Sequence, residues 1–244
     1  MENEIFHKMF EVDRSHWWFN GQRSWLKRFY SKFRGQKKKW LDVGCGVGDI
    51  LMALKDDFVV FGIDANNLAL LYSKKRDIPN LIKGDALSLP FKDESFDFVS
   101  LLGVMYHRNV KDDRFCLREC VRVCKKNGIL FFSEPVVSLK GSHDIKEHTA
   151  RRYSLKILKQ LILDEGLKIE RISYFNFFGF LPMFLIRKLQ RFKKNKEEHD
   201  LEKPHRLINL LMSFLITLES IYVRYLPLPL GTTVICVAKR AVSR

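Results

Sequence analysis

An α/β fold built around a largely parallel sheet is what this 244-residue sequence predicts, and three observations carry the prediction. Trp40-Leu-Asp-Val-Gly-Cys-Gly-Val-Gly-Asp49 reads as a short apolar strand whose glycine-rich turn opens a helix. Glycines there permit dihedrals that a Cβ forbids and let the main chain approach a ligand. From residue 58 to 134, apolar runs of strand length then alternate with helical periods, the pattern of βαβ units. Finally, Asp42, Asp64 and Asp85 fall at regular strand-to-strand intervals. Acids at successive strand ends suit a ligand bound outside the carboxyl edge of an open sheet.

A composition of 46% hydrophobic and 29% charged residues belongs to a folded protein and argues against disorder. The five cysteines are odd in number and show no paired spacing, so reduced thiols are expected and no metal site is read. The N-terminus carries Glu2, Glu4, Glu11 and Asp13 with no apolar block after a basic start; the expected compartment is the cytoplasm. The net charge of +15 is unevenly spread: +6 over residues 1–40, −1 over 41–150 and +10 over 151–244. Basic flanks around a neutral centre point to an acidic partner or substrate, such as an anionic membrane surface or nucleic acid.

The elements follow in order. Trp25, Leu26, Phe29, Tyr30 and Phe33 form one stripe of a helix whose other face is basic. Residues 1–39 therefore read as a helical segment packed on the core. Ile50 to Lys55 is the first core helix, Phe58 to Ile63 a buried strand ending at Asp64, 68–76 a helix, and Asn80 to Lys83 a strand leading to Gly84-Asp85-Ala86. A carboxylate about 20 residues beyond the glycine loop can accept from both hydroxyls of a ribose; Asp64 could instead cap the helix beginning near Asn67. A fourth strand ends before Leu102-Gly103, and His107 follows. It is either a general base, since an ordinary imidazole titrates near neutrality, or a histidine that bonds backbone at the rim. Helix 112–126 carries Cys116, Cys120 and Cys124 on one face as small hydrophobes, with Lys125-Lys-Asn-Gly128 ending it.

Ile129 to Ser133 is the fifth strand, stopping at Glu134-Pro135, and the polar loop 136–153 contains His143, His148, Arg151, Arg152 and Tyr153. Its arginines either clamp a phosphate or carboxylate or belong to a solvated connection capped by Ser154. Leu167 to Phe175 and Thr233 to Ala238 are the last strands, separated by an insert of roughly 55 residues counted along the sequence. This insert, 177–231, is rich in phenylalanine and leucine and holds the basic run Arg187 to Lys196. Neither of its apolar blocks reaches the ~20 residues that span a bilayer. They suit an interfacial helix, an apolar tunnel with a basic mouth, or a cap that only packs on itself.

The glycine loop, Asp64, Gly84-Asp85-Ala86 and the stretch from Leu89-Pro-Phe-Lys-Asp-Glu-Ser-Phe-Asp-Phe-Val99 to His107 resemble the class I S-adenosylmethionine-dependent methyltransferases over most of residues 40–134. The opening His16-Trp-Trp-Phe19 looks like that of a group of microbial methyltransferases of poorly defined substrate, and within the family the chain resembles the small-molecule or lipid acceptor branch, of quinone-biosynthesis type. The resemblance implies a Rossmann-like seven-stranded sheet formed by 40–176 plus 232–244, with an N-terminal helical lid and a helical insert between the last two strands. It implies S-adenosylmethionine held by Asp42, Gly44, Cys45, Gly46, Gly48, Asp64, Ala65, Asp85, Ala86, Leu102 and Gly103, with Asp64 on the ribose and Asp85 on the adenine amino group. The expected reaction is methyl transfer to an oxygen or carbon of a small or lipid-linked acceptor, with His107 as the base and Trp17, Trp18, Arg151, Arg152 and Tyr153 around the acceptor. Because Gly84 to Glu134 also resembles RNA wobble-base methyltransferases, that activity is the enzymatic alternative. A noncatalytic, membrane-associated cofactor-binding protein is the other.

Overall fold

The computed structural model describes residues 3–136, 150–190 and 204–241. Seven strands form one sheet: β1 (Lys39–Val43), β2 (Val59–Asp64), β3 (Leu81–Lys83), β4 (Phe96–Leu102), β5 (Cys124–Pro135), β6 (Leu167–Phe175) and β7 (Thr233–Arg240). Their spatial order is β3-β2-β1-β4-β5-β7-β6. The pairs from β3 through β5 are parallel, and β7 runs antiparallel between β5 and β6. The order reverses direction beside β1, so the carboxyl ends of β1 and β4 flank the crevice where an open α/β sheet receives its ligand.

The helices are α1 (Asn3–Val12), α2 (Trp17–Tyr30), α3 (Asp49–Leu54), α4 (Asn67–Lys74), α5 (Asp113–Val123), α6 (Leu155–Asp164), α7 (Phe177–Gln190) and α8 (Arg206–Tyr222). Trp40 anchors one side of the sheet. Fully buried, it stacks on Phe98 and Phe131 at ring separations of 4.9 and 5.0 Å, while its indole N–H donates to Ser100 Oγ at 2.8 Å. Burial of such rings, with the polar edge satisfied, is the main apolar contribution to this layer. Cys116, Cys120, Cys124 and Cys236 lie in the opposite core, all buried, and desolvation pushes the Cys124 thiol up to about 12.

The helix expected over 112–126 stops at Val123. Cys124 is extended (ψ 134°) and pairs with Phe96, so it belongs to β5 and not to the helical stripe. Gly128 is likewise a strand residue: a Cβ there would meet Cys124 Sγ at 2.6 Å and the Asp97 carbonyl at 3.0 Å. The N-terminal segment is two helices, broken at Asp13 to Ser15, with His16 capping α2 by accepting from the Trp18 amide at 3.1 Å.

The insert after β6 supplies α7 and α8, and α8 packs on α2. Asn209 Oδ1 accepts from the Trp17 amide (2.9 Å), Asn20 Nδ2 reaches Ser213 Oγ (3.3 Å), Gly21 makes room for Ile216, and Ser24 pairs with Ser220 (2.7 Å). The two flanks of the chain thus form one layer over the face of the sheet that carries Trp40, Phe98 and Phe131. Glu219, buried on α8, accepts from the Phe177 and Phe178 amides at 2.9 and 3.0 Å and so caps α7.

Candidate active site

A cavity of about 780 Å³ opens over the carboxyl ends of β1, β2, β4 and β5. Gly44, Gly46 and Gly48 all have positive φ (70°, 53° and 80°), which the tight turn from β1 into α3 requires. A Cβ on Gly44 would strike Val104, and one on Gly48 would strike Ser73 Oγ, but a Cβ on Gly46 would meet nothing within 4 Å. The loop is therefore closed against protein at two glycines and open toward the cavity at the middle one.

Asp64 stands at the end of β2. Its Oδ2 accepts from the Gly46 amide at 2.9 Å and its Oδ1 from the Asn66 amide at 2.8 Å. Asn66, and not Asp64, caps α4, accepting from Leu68 and Ala69. Burial raises the Asp64 carboxyl above its ordinary range, against the stabilising pull of those amides. Each carboxylate oxygen still has a second lone pair available. Asp42, buried at the end of β1, accepts from Ser100 Oγ at 2.6 Å, completing a relay from the Trp40 indole. Desolvation pushes Asp42 up to about 7, partly offset by Ser100. Asp85 Oδ1 accepts from the Leu87 amide at 2.9 Å, an Asx turn that presents Ala86 to the cavity beside Asp64 and Ala65.

On the β4 side, Leu102, Gly103 and His107 also line the cavity. The turn that carries His107 is organised by Glu134, fully buried at the end of β5: its Oε1 accepts from the Val104 and Met105 amides (3.3 and 3.0 Å) and its Oε2 from Tyr106 (3.2 Å). Burial pushes this carboxyl up to about 8 although the three amides favour its ionised form. Sequence reading left Glu134 as a strand terminus; the signal available was an acid at the end of the fifth strand, in line with those after the first and second.

Trp17 and Trp18 reach the cavity from α2, edge to face at 6.2 Å, together with Phe6 and Met9 of α1 and Met183 of α7. A ladder from Trp25 Nε1 to Gln22 (3.0 Å) and from Gln22 to Ser133 Oγ (3.2 Å) ties α2 to β5. Behind the glycine loop, Arg23 pairs with Asp49 and bonds the Asp13 carbonyl, while Arg76 and Asp13 form a buried pair at 2.7 Å. Burial drives Asp49 up to about 7, with Arg23 pulling the other way.

The loop residues separate. Arg152 lines the cavity and donates to the Val136 carbonyl at 3.1 Å. Arg151 does not: its guanidinium is engaged by the carbonyls of Val110 (2.6 Å) and Lys111 (2.5 Å), which pins the segment after β4. Tyr153 is also directed away, 1% exposed in the core with its hydroxyl donating to Asp113 at 2.9 Å. The clamp expected of Arg151 and the acceptor contact expected of Tyr153 are corrected accordingly: backbone carbonyls and a core carboxylate occupy their polar atoms. His143, His148 and the run Arg191 to Lys196 lie outside the described residues.

The cavity thus has two halves. One, over β1 to β3, offers backbone amides, carboxylates and an uncovered glycine; the other, under α2 and α7, is aromatic and apolar. Residues 41–132 match the family described as "Methyltransferase domain". The demethylmenaquinone methyltransferase of Lactobacillus johnsonii is 38% identical over 130 residues, covering 47% of this chain and 52% of its own length. The chain therefore spans about half the length of this curated relative. Among solved structures, a SAM-dependent methyltransferase of Thermotoga maritima aligns with TM-score 0.60 and 18% identity over 97% of this chain and 95% of its own. The [4+2]-cyclase SpnF aligns at 0.57 and 18%, over 90% and 82%. The fold is shared, and at such identities it does not specify the reaction.

Proposed function

We propose, for a chain whose residues 41–132 match a methyltransferase domain and lie on a Rossmann-like sheet, that it moves a methyl group from S-adenosylmethionine to an oxygen or carbon of a small or lipid-linked acceptor. The observation that carries this is the joining, in one cavity, of a polar half fitted to an adenosine-bearing cation and an apolar half walled by Trp17, Trp18 and Met183. The curated relative named for demethylmenaquinone supports a quinone-like acceptor with an apolar tail. Such an acceptor would come from a membrane, and peripheral association with an anionic surface would bring the chain to it. Among the described residues no helix is long and apolar enough to cross a membrane.

The residues fit the cofactor. Asp64, its oxygens already oriented by the Gly46 and Asn66 amides, would accept from the ribose hydroxyls; Asp85 and the Ala86 backbone would meet the adenine; Gly44, Cys45, Gly46 and Gly48 would let the main chain come close, with Asp42, Ala65, Leu102 and Gly103 completing the wall. S-adenosylmethionine, when bound, supplies a methyl group on a positively charged sulfur, open to in-line displacement. The chain contributes alignment and exclusion of water by α1 and α2. His107 accepts the acceptor's proton, in an orientation fixed by the Glu134 bonds to its turn. Arg152 lies where an anionic or carbonyl group of the acceptor would sit.

Asp64→Ala removes two amide acceptors and the ribose partner together. Calorimetry is expected to show no cofactor binding; unchanged affinity would remove the assignment. Incubation with labelled cofactor and separate lipid, RNA and small-molecule extracts tests the acceptor. Label in the lipid or small-molecule fraction supports the reading, label in RNA alone replaces it by the nucleic-acid alternative, and bound cofactor without transfer favours a noncatalytic protein.

A further inference from the structure

Helix α8 is turned inside out. Its inward stripe, Asn209, Ser213, Ile216 and Ser220, is mostly polar or small and is matched rung by rung to α2. Its outward stripe is apolar: Leu207, Leu210 and Phe214 are 68%, 67% and 60% exposed, and Leu218 and Ile221 continue the row. An amphipathic helix on a water-soluble domain does the reverse. Small and hydrogen-bonding residues between helices, with leucine outside, are the arrangement suited to an apolar solvent. Adjoining it, α7 carries a second exposed stripe with Leu181 at 61%.

Charge indicates which apolar solvent. From residue 204 to 232 the single acid is Glu219, buried as the α7 cap, while Arg206 and Arg224 bracket the exposed row. Arg224 bonds the Arg28 carbonyl at the end of α2, setting two cationic residues together beside the α8 terminus. A second copy of the chain would set these arginines against their own images in a protein of net charge +15. An anionic surface meets them with opposite sign. At 17 residues, α8 is about 25 Å long, suited to lying in an interface. The tyrosines at its C-terminal end, Tyr222 and Tyr225, are exposed, as residues at headgroup depth are.

We infer that α7 and α8 form a docking face for an anionic lipid bilayer, and that this face opens the acceptor half of the cavity to the membrane. The connection is short: Met183 of α7 lines the cavity, and Trp17, which also lines it, is bonded through its amide to Asn209 of α8. Delivery of the acceptor rests on the methyl-transfer reading; docking does not. The test is sedimentation of the full chain with phosphatidylcholine vesicles made with and without phosphatidylglycerol, beside the Leu210→Glu/Phe214→Glu variant and calorimetry with S-adenosylmethionine. The expected result is retention on the phosphatidylglycerol vesicles, weakened by salt, and a loss of about tenfold or more in the variant with cofactor affinity unchanged. Equal retention on neutral vesicles, or full retention of the variant, overturns the proposal. So does a dimer that the variant dissociates without any vesicle binding, which would assign the face to a second copy. A chain that binds vesicles but takes up no cofactor leaves docking in place and overturns the methyl-transfer reading alone.

Discussion

Asp42 should couple ligand binding in the polar half of the cavity to pH. Its carboxyl is held at about 7 by burial, with Ser100 the one favourable hydrogen bond and Asp64 and Asp49 adding repulsion. A cationic ligand entering the cavity favours the ionised form, so binding should draw off a proton wherever Asp42 is protonated in the free chain. Affinity for S-adenosylmethionine is expected to rise with pH up to about 7, by as much as about tenfold per unit, and to level off above. The uncharged-sulfur product S-adenosylhomocysteine should show a shallower rise, and Asp42→Asn should flatten both; calorimetry across pH in two buffers of different ionisation enthalpy measures this. That Asp42 would line the cavity was legible from its place before the first glycine, as Asp64 was from its spacing. Those signals are local, since strand ends and positive-φ glycines are written within a few residues. The part played by Glu134 was not, because three amides from residues 104–106 converge on it only after β4 and β5 pair. Arg151 misled for the same reason: its carbonyl partners lie 41 and 40 residues earlier in the chain.

Among elements, the contact between α2 and α8 decides whether the apolar half of the cavity exists. The first helix was expected from periodicity and the second as an apolar block of the helical insert, yet their pairing joins residues about 195 apart along the chain and left no pattern in either segment alone. Its tightest point is Gly21, where a Cβ would sit 2.3 Å from Ile216 Cδ1 and 2.7 Å from Cγ1. Gly21→Val should therefore push the helices apart and cost about 2 kcal/mol, an overpacking penalty. Combining it with Ile216→Ala should cost less than the two single losses added, because the second change vacates the space the first invades. Urea denaturation of the four proteins gives the coupling directly. If the losses simply add, the two residues do not meet and α8 is not seated as described.

Across the whole molecule, three buried carboxyls share one sign. Asp42 and Asp49 are pushed to about 7 from an ordinary 3.8, and Glu134 to about 8 from 4.5. The folded chain then holds protons that the unfolded chain has released, so these groups favour the fold at low pH and that contribution is lost as pH climbs through 7 and 8. The ligand-free chain should melt at a lower temperature near about pH 8 than near about pH 5, and Asp42→Asn should reduce the difference. A melting temperature that rises over that range would show these carboxyls to be ionised in the folded chain throughout. The same sheet explains how so unusual a flank is tolerated. β6 and β7 are antiparallel neighbours, so the chain leaves and re-enters at one edge, where Asn176 Nδ2 donates to Thr232 Oγ1 at 2.8 Å and a Cβ on Gly231 would lie 2.2 Å from the Phe175 carbonyl oxygen. Everything between is a detour with a stitched base. A detour anchored in this way can differ in length or composition between its two ends while the strands keep their pairing, so whatever the polar half of the cavity holds, the α7 wall of the apolar half is supplied through this single seam.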